Sequence, residues 1–137
     1  MRNVNKSVFV FLIIVFFSCE RKDEIHFAKT NDFINQTGTY YFNKNKIVIK
    51  EFKDGSLIFG VADNHNKVLY EHSIFRSFSG FSKWGLYIDI KQNIWFYTSD
   101  YQEYSVILKD SVENKYHYKK LDENSVEIPK EFKLKIK

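Results

Sequence analysis

From Gly38 onward the chain runs as one short β-prone segment after another. Tyr, Phe, Ile, Val and Thr dominate, and proline occurs once in the whole sequence. Polar clusters break these runs every eight to twelve residues or so, the spacing of an all-β domain. Strands are expected near 39–43, 46–53, 56–63, 67–76, 84–90, 94–99, 103–109, 115–121 and 131–136. Asp54-Gly55 is the strongest turn, because both residues tolerate the positive φ of a two-residue type I′ hairpin. Lys44-Asn45, Asn64-His65-Asn66, Gln92-Asn93 and Asp122-Glu123-Asn124 read as further turns. Connections this short favour antiparallel neighbours. Residues 38–137 are therefore expected to form a single small antiparallel meander, either barrel-like or a sandwich.

Side-chain parity assigns faces. With a short loop over Asp89–Asn93, one face carries Trp84, Leu86, Ile88, Ile94, Phe96 and Thr98, which reads as core. The other carries Tyr87, Asp89, Trp95, Tyr97 and Ser99. The hairpin around Asp54-Gly55 is apolar on both faces and is expected to be central and covered on both sides. At the end of the chain, Phe132, Leu134 and Ile136 alternate with Lys133, Lys135 and Lys137. Period two predicts a half-buried strand whose lysines protect an edge, or alternatively meet anionic membrane sugars or lipids.

The start of the chain has a different character. Arg2 and Lys6 precede an unbroken apolar run, Val8 to Phe17, and then Ser18 and Cys19. The run is half of the roughly 20 apolar residues a spanning helix needs, but suits the hydrophobic part of an export signal. Phe16-Phe17-Ser18-Cys19 resembles the lipobox of bacterial lipoproteins, with Phe16 where leucine is usual. The resemblance implies cleavage before Cys19 and lipidation of its thiol. That would commit the one cysteine of the chain and leave the domain without disulfides. Residues 1–18 are then a signal peptide, and residues 19–37 an acylated cysteine followed by a polar tether. A dozen flexible tether residues would average about 20 Å end to end, letting the domain float clear of the lipid. Lys22, Asp23 and Glu24 resemble the signal that carries some Gram-negative lipoproteins to the cell surface, and are otherwise a solvated charge run.

Cleavage would also remove Arg2 and Lys6, lowering the basic residues from 21 to 19 against 17 acidic ones. So small an excess argues against nucleic acid as a partner. No nucleophile elbow, zinc-protease helix, phosphate-binding glycine loop or cysteine pair occurs. The four histidines (His26, His65, His72, His117) are scattered, with His26 in the tether and His65 in a turn. A metal site would need His72 and His117 folded together with a carboxylate. Asp89 and Asp100 flank the aromatic hairpin and are the carboxylates a glycoside hydrolase would require.

Binding suits the composition better than catalysis. Tyr87, Trp95, Tyr97, Tyr101 and Tyr104 could form an aromatic contact surface, or a second layer of core. Phe78 and Phe81 lie in a Ser/Gly loop, either tucked in as a plug or offered to a partner. The expectation is a lipid-anchored outer-membrane protein, surface-exposed or facing the periplasm. It would act without cofactor or metal as a non-enzymatic binding module for a protein, such as an inhibitor or immunity protein, or for a glycan. Carriage of a small lipophile in a β-barrel is the alternative, and a hydrolase using Asp89 and Asp100 a more remote one.

Overall fold

A computed structural model describes residues 24–137. Signal cleavage, Cys19 lipidation and the Lys22-Asp23 part of the charged run lie outside the described residues. Eleven strands follow in order: β1 (Ile25–Phe27), β2 (Phe33–Ile34), β3 (Gly38–Phe42), β4 (Asn45–Glu51), β5 (Ser56–Asp63), β6 (Val68–Glu71), β7 (Phe78–Ser79), β8 (Trp84–Ile88), β9 (Ile94–Thr98), β10 (Glu103–Asp110) and β11 (Lys115–Leu121). A 3-10 turn, Ile74–Arg76, separates β6 from β7, and among the described residues one helix, α1 (Lys130–Ile136), follows the strands.

Two sheets face each other and do not close into a barrel, so the domain is an all-β sandwich. The first runs β1-β3-β4-β5-β6, with β7 also paired to β5; the second runs β11-β10-β9-β8-β2. All pairings are antiparallel except β1 on β3. Ile47, Ile49, Leu57, Phe59 and Val61 from the first sheet meet Leu86, Ile88, Ile94, Phe96 and Ile107 from the second. Ile88 pairs with Ile94 and Leu86 with Phe96, which is the register expected from parity.

The second sheet is buried on both faces at its centre, as the all-buried β8 shows. Its outer face carries Tyr87, Trp95, Tyr104, Val106 and Leu121, covered by Ile128, Phe132 and Ile136. The final segment is thus a helix, not the expected edge strand. Phe132 and Ile136 stand four apart, one helical turn, and both are buried, while Leu134 points outward at 70 % exposure. Edge protection falls instead to β11, whose Lys115, Lys119 and Lys120 are exposed.

Two other expectations change. Ile58 and Val48 lie on the outer face of the first sheet and remain half-buried, so the Asp54-Gly55 hairpin is covered on one side only. Its turn is a three-residue loop, Lys53 to Gly55, closed by Phe52 N–H to Ser56 O at 2.8 Å. Only Gly55 takes a positive φ, +84°, while Asp54 turns its carboxylate to accept from the Ser56 amide at 2.9 Å. The tether is also shorter than expected. Residues 25–27 add to the first sheet and residues 33–34 to the second. Gly38 makes room for the former. At φ +137° its missing Cβ would lie 2.8 Å from the Glu24 carbonyl oxygen, so the incoming chain packs flush on β3. His26, expected in the tether, stacks on Tyr40 at 4.8 Å.

Candidate functional site

The registers place one set of connections at a single end of the sandwich. β4 reaches it at Glu51 and β5 leaves it at Ser56. There the 3-10 turn follows β6, and the loop after β7 hydrogen-bonds Gly80 N–H to Gly55 O. Asp100, in the β9–β10 turn, accepts from the Ser79 amide at 2.6 Å, and Tyr101 donates to Ser77 O at 2.8 Å. We call this the upper end.

Just below it, between the sheets, lies a half-open pocket of about 240 Å³ lined by His72, Phe75, Arg76, Phe96, Thr98, Tyr101, Glu103, Ser105 and Tyr118. Its floor is set by strand parity, since Phe96, Thr98 and Ser105 project inward from β9 and β10. Its roof is the 3-10 turn, where Ser73 caps with its hydroxyl accepting from the Phe75 amide at 3.3 Å. His72 holds that turn in place. Its Nε2 lies 2.9 Å from Arg76 O and its Nδ1 3.0 Å from the Tyr70 hydroxyl. The geometry assigns the proton to Nε2, leaving Nδ1 to accept. Burial lowers the His72 pKa against the opposing Arg76 backbone bond, favouring the neutral ring. Burial likewise pushes Tyr70 up to about 12.

The wall is polar. The Tyr118 hydroxyl donates to Glu103 Oε1, and Arg76 Nη1 donates to that hydroxyl. The Arg76 guanidinium lies 4.5 Å from the centre of the Tyr118 ring. Glu103 also sits 3.4 Å from Arg76 and 3.5 Å from Lys120, so two cations share one carboxylate. Burial first, and Glu103 second, raise the Tyr118 pKa. The pocket therefore offers aromatic faces, hydroxyl groups and the Arg76–Glu103 ion pair within one small space.

The residues expected to make an aromatic surface divide. Tyr87 and Trp95 are 3 % and 6 % exposed, sealed under α1, so they belong to a second core layer and present no surface. Tyr97 is half-buried against Tyr104. Tyr101 alone of that group is exposed, on the rim of the pocket. The Ser/Gly loop splits likewise. Phe78 is the plug, packed on Trp84 and Phe96, whereas Phe81 is 91 % exposed with its ring edge over Gly55.

Asp89 and Asp100 lie beyond opposite ends of β9, roughly 17 Å of strand rise apart. A glycosidase pair works across about 5–9.5 Å, so these two cannot share a substrate bond. Asp89 instead accepts from Trp95 Nε1 at 2.9 Å and from the amides of Lys91 and Asn93. His72 and His117 do not meet. His117 is exposed and pairs with Asp110 at 3.6 Å at the far end of β11. Asp110, Glu113 and His117 do converge there, but the Asp110 carboxylate already caps its own turn through the Val112 and Glu113 amides.

Arg76, Glu103 and Tyr118 were not singled out from sequence, since the pocket joins positions 27 and 42 residues apart. The one local sign was Ser73, a cap residue inside the run read as a strand over 67–76. No family model matches the chain, and searches of curated proteins and of solved structures find no match. Among the described residues no helix is long and apolar enough to cross a membrane.

Proposed function

We propose that the chain is a lipid-anchored protein of the bacterial outer membrane whose sandwich domain binds an envelope glycan non-enzymatically. The observation that carries the binding half is the upper pocket. Its volume of about 240 Å³ suits one ring-sized group rather than a whole lipophile. Phe96, Tyr101 and Tyr118 supply faces for a sugar ring, while Arg76 and the Thr98 and Ser105 hydroxyls supply polar partners. Lys120, a second cation on Glu103 outside the pocket lining, tips the local charge positive and favours a sugar bearing an anionic substituent. The anchor half rests on Cys19 and the apolar run before it.

The test is titration of the purified protein with oligosaccharides released from the outer membrane. Saturable binding is expected, weakened about tenfold or more by Tyr101→Ala or Arg76→Ala, since each removes on the order of 1.4 kcal/mol of contact. No saturable binding, or binding indifferent to both changes, would defeat the glycan assignment. Saturable binding of a secreted protein alone would move the pocket to a protein partner.

A further inference from the structure

The upper end carries more apolar surface than the pocket uses. Phe75 and Phe81 are 92 % and 91 % exposed, and Ile74 is 61 % exposed. Ile74 and Phe81 flank the same turn, and Phe75 follows Ile74 in the 3-10 turn at the pocket mouth. Ile74 borders a shallow groove shared with Phe52 and Ser56, and Phe81 lies over Gly55 in the same turn. Two aromatic rings each present on the order of 150–250 Å². Lys53 stands exposed beside them, while Lys83 Nζ donates to Lys137 O at 2.6 Å. The Asp54 and Asp100 carboxylates at this end are turned to Ser56 and Ser79.

The chain arrives from Cys19 at this same end. β1 is parallel to β3, with Ile25 opposite Thr39, and β3 starts at the upper end because Gly38 pairs with Ile49 near the close of β4. Glu24, whose carbonyl accepts from the Thr39 amide at 3.2 Å, is therefore fixed there. Four residues separate Cys19 from Glu24, and the five Cα steps between them span at most about 18 Å. A lipid on Cys19 would hold the bilayer near the end of the domain that carries Phe75 and Phe81.

We infer that the upper end rests on the phospholipid surface, with Phe75, Phe81 and Ile74 set into the boundary between headgroups and acyl chains. The inference rests on the anchored-lipoprotein reading. It adds a second, weaker contact that orients the domain, so the pocket mouth at Tyr101 opens into the headgroup layer. One lipid signal is supplemented by buried apolar area, a second contact that strengthens peripheral binding.

The full acylated protein, in vesicles of phosphatidylethanolamine and phosphatidylglycerol, tests both layers of the argument. A fluorophore is placed at Lys53→Cys beside the rings, or at Val112→Cys in the β10–β11 turn, and the vesicles carry a quencher on the acyl chains. Quenching is expected to be several-fold stronger at position 53 than at 112, and to fall to the level of 112 when Phe75→Ser and Phe81→Ser are added. Protein that floats with the vesicles but shows equal quenching at both positions overturns the inference and leaves the anchor standing. Protein that fails to float and keeps a free Cys19 thiol overturns the anchor, and the inference with it.

Discussion

Phe132→Ala separates a C-terminal helix from a C-terminal strand. In the helix, Phe132 is fully buried, 5.8 Å from Tyr87 in a near-parallel stack, 5.9 Å from Tyr104 edge-on and 6.2 Å from Phe33. Truncating a buried phenylalanine costs about 3–5 kcal/mol. The upper part of that range applies here, because seven residues form too short a helix to persist undocked. Loss of Phe132 releases Ile136 as well and uncovers Tyr87, Trp95 and Tyr104. About 4 kcal/mol is a large share of a domain stability of about 5–15 kcal/mol. Leu134→Ala is the control. A strand would put Phe132, Leu134 and Ile136 on one face, and the two substitutions would cost similar amounts. With Leu134 70 % exposed, its loss is expected to stay within about 0.5 kcal/mol. Urea unfolding followed by far-ultraviolet circular dichroism measures both. Similar losses for the two variants, or a loss under about 1.5 kcal/mol for Phe132→Ala, would refute the docked helix.

Further outcomes follow from the same contacts. Cys19→Ser should abolish acyl labelling and release the protein from the membrane fraction; retained labelling would remove the anchor. Replacing Lys22, Asp23 and Glu24 by alanine should lower protease accessibility on intact cells if those charges direct surface export, and equal accessibility would leave them as solvating residues. Gly38→Ala should lift β1, seen as faster amide exchange at Ala28, whose N–H bonds to Tyr41 O at 2.8 Å; unchanged protection there would contradict the close packing. Tyr70, Tyr87 and Tyr116 are each raised to about 12, chiefly by burial. Unfolded tyrosine loses its proton near pH 10. Between about pH 10 and 12 the unfolded chain therefore binds fewer protons than the folded one, and stability falls as pH rises. Phenolate absorbance should rise late and together with unfolding; early, independent ionisation of all nine tyrosines would contradict the burial.

What the sequence disclosed followed its local signals. Strands β3 to β5 and β8 to β11 announce themselves because each has β-prone residues bounded by turn residues, and Asp89 to Asn93 does close the hairpin that aligns Ile88 with Ile94. Phe132, Leu134 and Ile136 misled because residues spaced i, i+2, i+4 satisfy a strand, while i and i+4 alone satisfy a helix. Pro129 just ahead of the helix was the sign that favoured the helix. β1 has no pattern of its own. Its three residues become a strand because β3 offers a free edge and Gly38 offers clearance. The pocket was hidden for another reason. Arg76, Glu103 and Tyr118 come from a turn and two strands, and only the pairing of sheets brings their charges together.

β1 also decides how the domain bears load. A domain held through Cys19 takes any pull at Glu24, along the axis of β1. Because β1 lies parallel on β3, the bonds between them are sheared together under tension rather than unzipped in turn. Forced detachment depends on the rate of that rupture and not on equilibrium stability. With Cys19 lipidated, these three residues at the edge of the first sheet would act as a mechanical clasp between the membrane and the core.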